Sequence, residues 1–127
     1  MTTSQTLKER VQNGEQVEPS ADLPEEYKRA AQRMIQFHAN SEIVGTLPEK
    51  QWIKKAPSLQ RKRAISAKVQ DEAGHAQVLY RTAETLGLKD REEMLDDLIN
   101  GDSKYVTVFN YPTKTWADAA YIAMFID

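Results

Sequence analysis

The sequence predicts an all-α protein, a single helical bundle, and three observations support this prediction. The chain has 127 residues, of which 40% are hydrophobic and 28% charged, which is typical of one globular domain. Four segments show apolar residues at helical spacing between recognisable start and stop residues. No segment shows a strong two-residue alternation of apolar and polar residues, which a half-buried strand would require.

The first part of the chain divides into an arm, a helix and a connector. Residues 1–21 are polar and are predicted to form an N-terminal arm, whereas residues 22–127 form the bundle. The first bundle helix is predicted to begin near Pro24, because proline suits the first turn of a helix. Gly45 is predicted to end this helix, and residues 46–57 then form a connector.

Capping residues place the remaining helices. Ser58 is predicted to cap a second helix that extends to Gly87. A third helix is predicted at residues 90–100, followed by a loop at residues 102–114. Thr115, with an aspartate three residues later, resembles a capping box and predicts the start of a fourth helix.

The end of the sequence is unusually apolar. Residues 119–126 are apolar almost all round, which predicts a helix that is buried on most sides. The run stops at Asp127 without a glycine or a basic last turn. We therefore expect this chain to be the N-terminal portion of a bundle, cut in the middle of a helix.

Composition excludes several classes of function. The formal net charge of −2 gives no basic surface for nucleic acid or for an anionic membrane. The absence of cysteine excludes disulfides, iron–sulfur clusters and thiolate nucleophiles, and it suits a cytoplasmic protein. No apolar run is long enough to span a bilayer, and the polar N-terminus does not resemble a signal peptide.

Ionisable residues occupy helical faces where leucines are expected. The predicted inner face of the second helix carries Lys68, Glu72 and His75 between apolar ends, and that of the first helix carries His38 and Glu42. A buried charge is normally paired or bound to a metal, because burial of a lone carboxylate is costly. One Glu on one helix and a Glu-x-x-His on another is half of the ligand set of a di-iron carboxylate bundle.

The spacing of these residues is compatible with a metal site. Residues three apart project from one face, so Glu72 and His75 can reach the same ion. Glu42 and Asp127 are candidates for further oxygen ligands, and such donors suit iron or manganese. The di-iron pattern needs a second Glu-x-x-His, and His38 does not follow a glutamate by three residues. The site in this chain is therefore predicted to be incomplete.

Other interpretations of the same residues remain open at this point. Lys68 and Glu72 can form an ordinary salt bridge at i, i+4, and His75 can be a core histidine. His38 is either a core residue or a support for a metal ligand. In a simple hairpin, Glu42 would lie opposite the start of the second helix. Glu42 and Glu72 can meet only if the connector extends further along the axis of the first helix before the second helix begins.

Three strings of residues resemble a known family. They are HANSEIVG at residues 38–45, AKVQDEAGH at residues 67–75 and FNYPT at residues 109–113. These strings resemble the catalytic alpha subunits of the bacterial ring-1,2-phenylacetyl-CoA epoxidases, and the likeness extends from about Pro19 to Asp127. Members of that family are more than twice as long as this chain.

The resemblance implies a fold, a reaction and partners. It implies an oxidoreductase with a ferritin-like bundle and a non-haem di-iron centre. The implied reaction is a monooxygenase step of aerobic phenylacetate catabolism, in which one atom of O₂ is inserted into the ring of phenylacetyl-CoA. The implied partners are a reductase that draws electrons from NADPH, a metal-free sister subunit, plus a small bridging subunit.

The resemblance also implies roles for particular residues. It makes Glu42, Glu72 and His75 ligands of one iron, Asp127 a ligand of the second iron, and Lys68 a neighbour of these ligands. It directs substrate-binding residues towards coenzyme A; these are Arg33, Lys104, Tyr105, Val106 and Thr107. Composition alone favours solvated surface over a phosphate-bearing ligand for both the loop at residues 104–107 and Arg33.

Two other functions remain as alternatives. The chain can be a non-catalytic helical scaffold like the metal-free sister protein, which predicts that it binds no iron. It can also be a generic ferritin-like iron protein, which predicts iron oxidation without binding of an acyl-CoA. Because the second Glu-x-x-His lies outside this sequence, the chain alone is expected to be inactive.

Overall fold

The structure is a computed structural model that describes residues 4–18 and 22–126. Within these residues it contains six α-helices, one 3₁₀ helix and no strand, which confirms the all-α prediction. The α-helices are α1 (Ser4–Gln12), α2 (Glu25–Lys50), α3 (Trp52–Lys55), α4 (Leu59–Thr85), α5 (Arg91–Asn100) and α6 (Trp116–Phe125), and the 3₁₀ helix at Thr107–Asn110 precedes α6. None of these helices is both long and apolar enough to cross a membrane.

The two long helices, α2 and α4, form an antiparallel pair that contains the main core. Three contacts establish the direction: Lys68 meets Glu49, Tyr80 meets Asn40, and the backbone of Lys89 meets Gln32. As the residue number increases from 68 to 89, the number of the contacted residue on α2 decreases from 49 to 32, so the two helices run in opposite directions. The buried cluster between the helices consists of Ala31, Ile35, Ala39, Ala76, Tyr80, Ala83 and Met94, the last from α5.

The first bundle helix is longer than the sequence predicts. It does not end at Gly45 but continues to Lys50, with Pro48 inside it. Gly45 serves packing instead, because a Cβ atom at this position would lie 3.0 Å from Cζ of Phe109. The continued α2 and the short helix α3 together replace most of the predicted connector at residues 46–57.

This extra length removes the geometric difficulty of a simple hairpin. Glu42 lies about two turns before the end of α2, and α3 adds further length before α4 begins. Glu42 therefore faces the middle of α4, where Glu72 and His75 stand.

The predicted capping residues are confirmed. The hydroxyl of Ser58 accepts a hydrogen bond from the backbone N–H of Arg61 at 3.2 Å. Asp90, which the sequence predicts as the first residue of the third helix, is instead the cap of α5. Gly101 ends α5 in the left-handed conformation, with φ of 78°. Thr115 forms the predicted capping box at the start of α6.

The buried face of each long helix matches the prediction only in part, since Ala31, Ile65 and Glu72 are buried as their helical spacing predicts. The same spacing predicts four further residues on the inner faces that are exposed; they are Met34, His38, His75 and Thr82. Their successors along the chain are buried; they are Ile35, Ala39, Ala76 and Ala83. Three of these four successors are alanines, whose small side chains let two helix backbones approach closely but contribute little to a hydrophobic pattern.

The last helix is less buried than predicted. In α6, Ala119 packs against Trp52 and Ile65, but Tyr121 and Met124 are 65% and 72% exposed. The prediction of burial on most sides is therefore wrong for the part of α6 that the structure describes. The physical reason is that α3 and α4 reach only one side of this helix.

A short helix lies within the predicted N-terminal arm. Helix α1 buries Leu7 and leaves Val11 half exposed, and both residues line a groove beside the start of α2. The interpretation of residues 1–21 as an arm that contacts a partner stays a prediction.

Helix α5 is tied to α2 by a polar contact. One carboxylate oxygen of Asp97 accepts hydrogen bonds from Lys89 Nζ at 2.8 Å and from Gln36 Nε2 at 2.9 Å. These hydrogen bonds, first that from Lys89 and then that from Gln36, hold the pKa of Asp97 below its ordinary value of 3.8. The contact therefore stabilises the fold only while Asp97 is ionised.

Gly45→Ala tests the packing of Phe109, with Gly74→Ala as its matched control. Both glycines are helical, but a Cβ atom at Gly74 would meet nothing within 4 Å. We expect Gly74→Ala to raise the free energy of unfolding by up to about 1 kcal/mol through helix propensity. The free energy of unfolding of Gly45→Ala should be at least about 1 kcal/mol lower than that of Gly74→Ala, because the Phe109 ring must move. Equal increases in the free energy of unfolding for the two variants, measured by urea unfolding, would contradict this account of Gly45.

Asp97→Asn tests the pH dependence of the contact between α5 and α2. A depressed pKa in the folded state contributes stability above the unfolded pKa, and this contribution is lost as pH falls through the folded pKa. At pH 7 the free energy of unfolding of the wild type should exceed that of the variant by up to about 1 kcal/mol, and this difference should shrink below pH 3.8. Urea unfolding at several pH values measures this difference. The exposed neighbour gives the control Asp96→Asn, and an equal loss there would count against the interpretation.

Candidate metal centre

The middle of the α2–α4 pair brings together Glu42, Glu72 and His75. Nδ1 of His75 lies 3.5 Å from Oε2 of Glu72 and 3.6 Å from Oε2 of Glu42. One ligand atom from each residue lies within 4.8 Å of the other two. Glu72 and His75 come from one turn of α4, and Glu42 comes from across the helix pair. The structure therefore joins three residues that the sequence predicts as ligands.

The carboxylates of this group are largely shielded from water. The side chains of Glu42 and Glu72 are 15% and 10% exposed, whereas that of His75 is 60% exposed. Oε2 of Glu42 is buried and accepts no hydrogen bond from the residues that the structure describes. An unsatisfied buried acceptor costs about 1–3 kcal/mol, so a ligand atom at this position has a physical reason to be present.

The donor set fits a divalent metal such as iron or manganese. Two carboxylate oxygens and one imidazole nitrogen are the kinds of ligand that these metals bind. Nδ1 of His75 faces both carboxylates, so metal binding through this atom leaves the proton of the neutral ring on Nε2. His75 is exposed at one side of the group, which excludes the interpretation of a core histidine.

Lys68 connects this group with a further carboxylate. Its Nζ donates hydrogen bonds to Oε1 of Glu72 at 2.9 Å and to Oε1 of Glu49 at 2.7 Å. Among the residues that the structure describes, three carboxylates, those of Glu42, Glu49 and Glu72, stand near the one ammonium group of Lys68 in a shielded place. A bound metal cation would balance the negative charge of these carboxylates. The predicted salt bridge between Lys68 and Glu72 is thus present, and it is part of a larger network that includes Glu49.

Glu49 is the residue that sequence reasoning missed. Its side chain is only 3% exposed, and it stands on α2 two turns after Glu42, on the same face of the helix. The predicted end of the helix at Gly45 places Glu49 in a connector. The seven-residue spacing from Glu42 is the signal that would have revealed it, had the helix been extended past Pro48.

His38 is neither buried nor isolated. Its Nε2 lies 3.0 Å from Oε1 of Glu42, one helical turn away. Its side chain is 59% exposed, so it does not belong to the core. Of the two interpretations that the sequence left open, only that of a residue beside a ligand is compatible with this position.

A cleft of about 500 Å³ adjoins the carboxylates. Phe37 and Phe109 give it apolar walls, while His38 and Glu42 stand at its polar side. Of the predicted substrate-binding residues, two line the cleft; they are Arg33 and Val106. Three others on the same loop do not line it; they are Lys104, Tyr105 and Thr107. Asp127 lies outside the described residues, so its role as a ligand stays a prediction.

Buried hydrogen bonds attach the loop to the helices. Asn40, which is fully buried, donates to the hydroxyl of Ser103 at 2.9 Å and to the carbonyl of Lys104 at 3.2 Å. Tyr80 donates to the side-chain oxygen of Asn40 at 2.7 Å. Burial raises the pKa of Tyr80 to about 12, so the hydroxyl keeps the proton that it donates. The loop position therefore depends on the same helix pair as the metal ligands.

Lys68→Met tests the charge balance of the network. Removal of the cation leaves Glu49 and Glu72 shielded without their shared partner, so we expect a loss of about 2–4 kcal/mol in the free energy of unfolding. Adding Glu49→Gln should recover part of this loss. The control Lys28→Met removes an exposed contact of 3.4 Å and should cost less than about 1 kcal/mol. Equal losses for the two lysines in urea unfolding would refute the network.

Comparisons with known proteins identify the family of this chain. The profile of the phenylacetic acid catabolic proteins matches residues 1–127. One subunit of 1,2-phenylacetyl-CoA epoxidase from Escherichia coli strain K12 is 45% identical over 127 residues, which is all of this chain and 41% of that relative. The chain thus spans less than half the length of the curated relative that it matches. On the match over its whole length, the chain belongs to the phenylacetic acid catabolic protein family.

Proposed function

We propose that this chain supplies the metal-binding helix pair of the catalytic subunit of a monooxygenase, 1,2-phenylacetyl-CoA epoxidase. The observation that carries the proposal is the group of Glu42, Glu72 and His75, with a buried carboxylate oxygen that lacks a hydrogen-bond donor. The 45% identity to the epoxidase subunit supports the choice of reaction. The substrates under this proposal are phenylacetyl-CoA and O₂.

The proposed cofactor is a non-haem di-iron centre in a ferritin-like bundle. Glu42, Glu72 and His75 would hold one iron, and Asp127 is proposed as a ligand of the second. The chain has only two histidines, so a complete di-iron site needs donors that it does not carry. When bound, the irons would supply the electrons with which O₂ is activated.

The residues of this chain have separate tasks in that reaction. Lys68 would balance the charge of the carboxylates and hold Glu72 and Glu49 in place. The apolar walls of the cleft would exclude water and receive the aromatic ring beside Glu42. Arg33 at the cleft would pair with a phosphate of coenzyme A, and so aim the thioester.

The proposal also includes partner proteins. This sequence contains no glycine-rich motif for a flavin or nicotinamide, which supports a supply of electrons from another protein. We propose a reductase that uses NADPH, a metal-free sister subunit, plus a small bridging subunit. The proposal includes a cytoplasmic location, where coenzyme A thioesters and NADPH are available.

Iron retention tests the metal site. After anaerobic loading with Fe(II) and desalting, the wild-type chain should retain iron, and the double variant Glu72→Ala/His75→Ala should lose it. The matched control is Gln70→Ala/Asp71→Ala, two exposed neighbours on α4, which should retain iron like wild type. Iron absent from all three proteins, or equal in all three, would contradict the proposed centre. A metal-free scaffold predicts the first of these outcomes.

Binding of phenylacetyl-CoA tests the substrate side. By calorimetry, we expect Arg33→Glu to weaken binding about 10-fold or more, because it places a negative charge against a phosphate. Arg29→Glu is the control, since Arg29 is exposed on α2 but does not line the cleft. Equal effects of the two variants would reject Arg33 as a substrate contact. Iron retention without any binding of phenylacetyl-CoA would favour a generic ferritin-like iron protein.

A further inference from the structure

We infer that His38 is a positioning residue, which orients the carboxylate of Glu42 so that one of its oxygens faces the metal. This inference rests on the proposed metal site. His38 is not one of the three candidate ligands, and its proposed role is to orient one of them, Glu42.

The first step is an asymmetry between the two oxygens of Glu42. Oε1 lies 3.0 Å from Nε2 of His38, whereas Oε2 is buried and has no hydrogen-bond donor among the described residues. Oε2 is also the oxygen that lies 3.6 Å from Nδ1 of His75. The contact with His38 therefore occupies the outer oxygen and leaves the inner oxygen for a ligand.

The second step is that Glu72 shows the same asymmetry. Its Oε1 accepts a hydrogen bond from Lys68 at 2.9 Å, and its Oε2 lies 3.5 Å from Nδ1 of His75. In each carboxylate, Oε1 thus contacts a nitrogen of a side chain on the same helix, while Oε2 faces Nδ1 of His75. His38 does for Glu42 what Lys68 does for Glu72.

The third step is the direction of the hydrogen bond. An ionised carboxylate only accepts hydrogen bonds, so Nε2 of His38 must carry the donated proton. A donor on the outer oxygen restricts rotation of the carboxylate about its last side-chain bond. Partners of this kind orient metal-bound carboxylates in proteins, and their loss typically weakens metal binding about 10- to 100-fold.

The position of His38 separates this role from simple packing. The side chain is 59% exposed and stands at the cleft beside Glu42, with few atoms around it to pack against. Met34 stands one turn earlier on the same face of α2, also lines the cleft and is 67% exposed. Met34 is therefore a matched control that shares the surroundings of His38 but not its hydrogen bond.

The test measures the affinity of the whole chain for Co(II), a substitute for Fe(II) that gives a visible absorption spectrum. Four proteins are compared at one pH: wild type, His38→Ala, His38→Gln and Met34→Ala. We expect His38→Ala to bind Co(II) about 10- to 100-fold more weakly and with an altered visible spectrum. His38→Gln keeps an N–H donor on a side chain of similar length and should restore most of the affinity. Met34→Ala should bind like wild type.

Each contrary outcome has a distinct meaning. If wild type binds Co(II) and His38→Ala binds equally well, the pair only stabilises the helix and the inference is overturned, while the proposed metal site survives. If His38→Gln binds as weakly as His38→Ala, donation to Glu42 is not the role of His38, and the inference is again overturned. If wild type and all variants fail to bind, both the metal site and this inference are rejected.

Discussion

The register of α2 against α4 is the constraint on which the rest of the structure depends. Small alanine side chains lie between the two helices and allow close approach, but a surface of alanines alone gives little resistance to sliding. Two polar contacts, on either side of the carboxylate group, provide the resistance. These are Asn40 with Tyr80 towards one end and Glu49 with Lys68 towards the other. A slip of one turn would break both of these contacts between shielded polar groups, which is costly.

The same register determines the electrostatics of the candidate centre. It places carboxylates from two helices around one lysine and one exposed imidazole, so negative charge exceeds positive charge in a place with little water. Such an arrangement is poor as a stabilising device, since hydrophobic residues of similar size would serve stability as well or better. Its physical justification is the cation that it can bind.

Helix α2 links the centre to the cleft because its two sides have different tasks. One side packs on α4 and presents Glu42 to the centre, while the other side carries Arg33 and Phe37 into the cleft. Gly45 allows the ring of Phe109 to approach the helix backbone, and the hydroxyl of Ser41 accepts the backbone N–H of Val106 at 3.0 Å. A change in the cleft wall is therefore felt on the helix that carries a candidate metal ligand.

Local chemistry allowed the sequence by itself to determine the helical class, the caps at Ser58 and Thr115, and the candidate group of Glu42, Glu72 and His75. A cap depends on a hydroxyl or carboxylate next to free backbone N–H groups, and a Glu-x-x-His depends on the pitch of one helix.

Only the tertiary structure decided what depends on contacts between distant segments. The close approach of Phe109 accounts for a glycine at position 45 inside α2, and the helix that continues beyond it buries Glu49 beside Lys68. Close packing of alanines decided which faces are buried, and the limited reach of α3 and α4 left one side of α6 exposed. These outcomes depend on residues up to tens of positions apart, whose meeting no local spacing of residue types encodes.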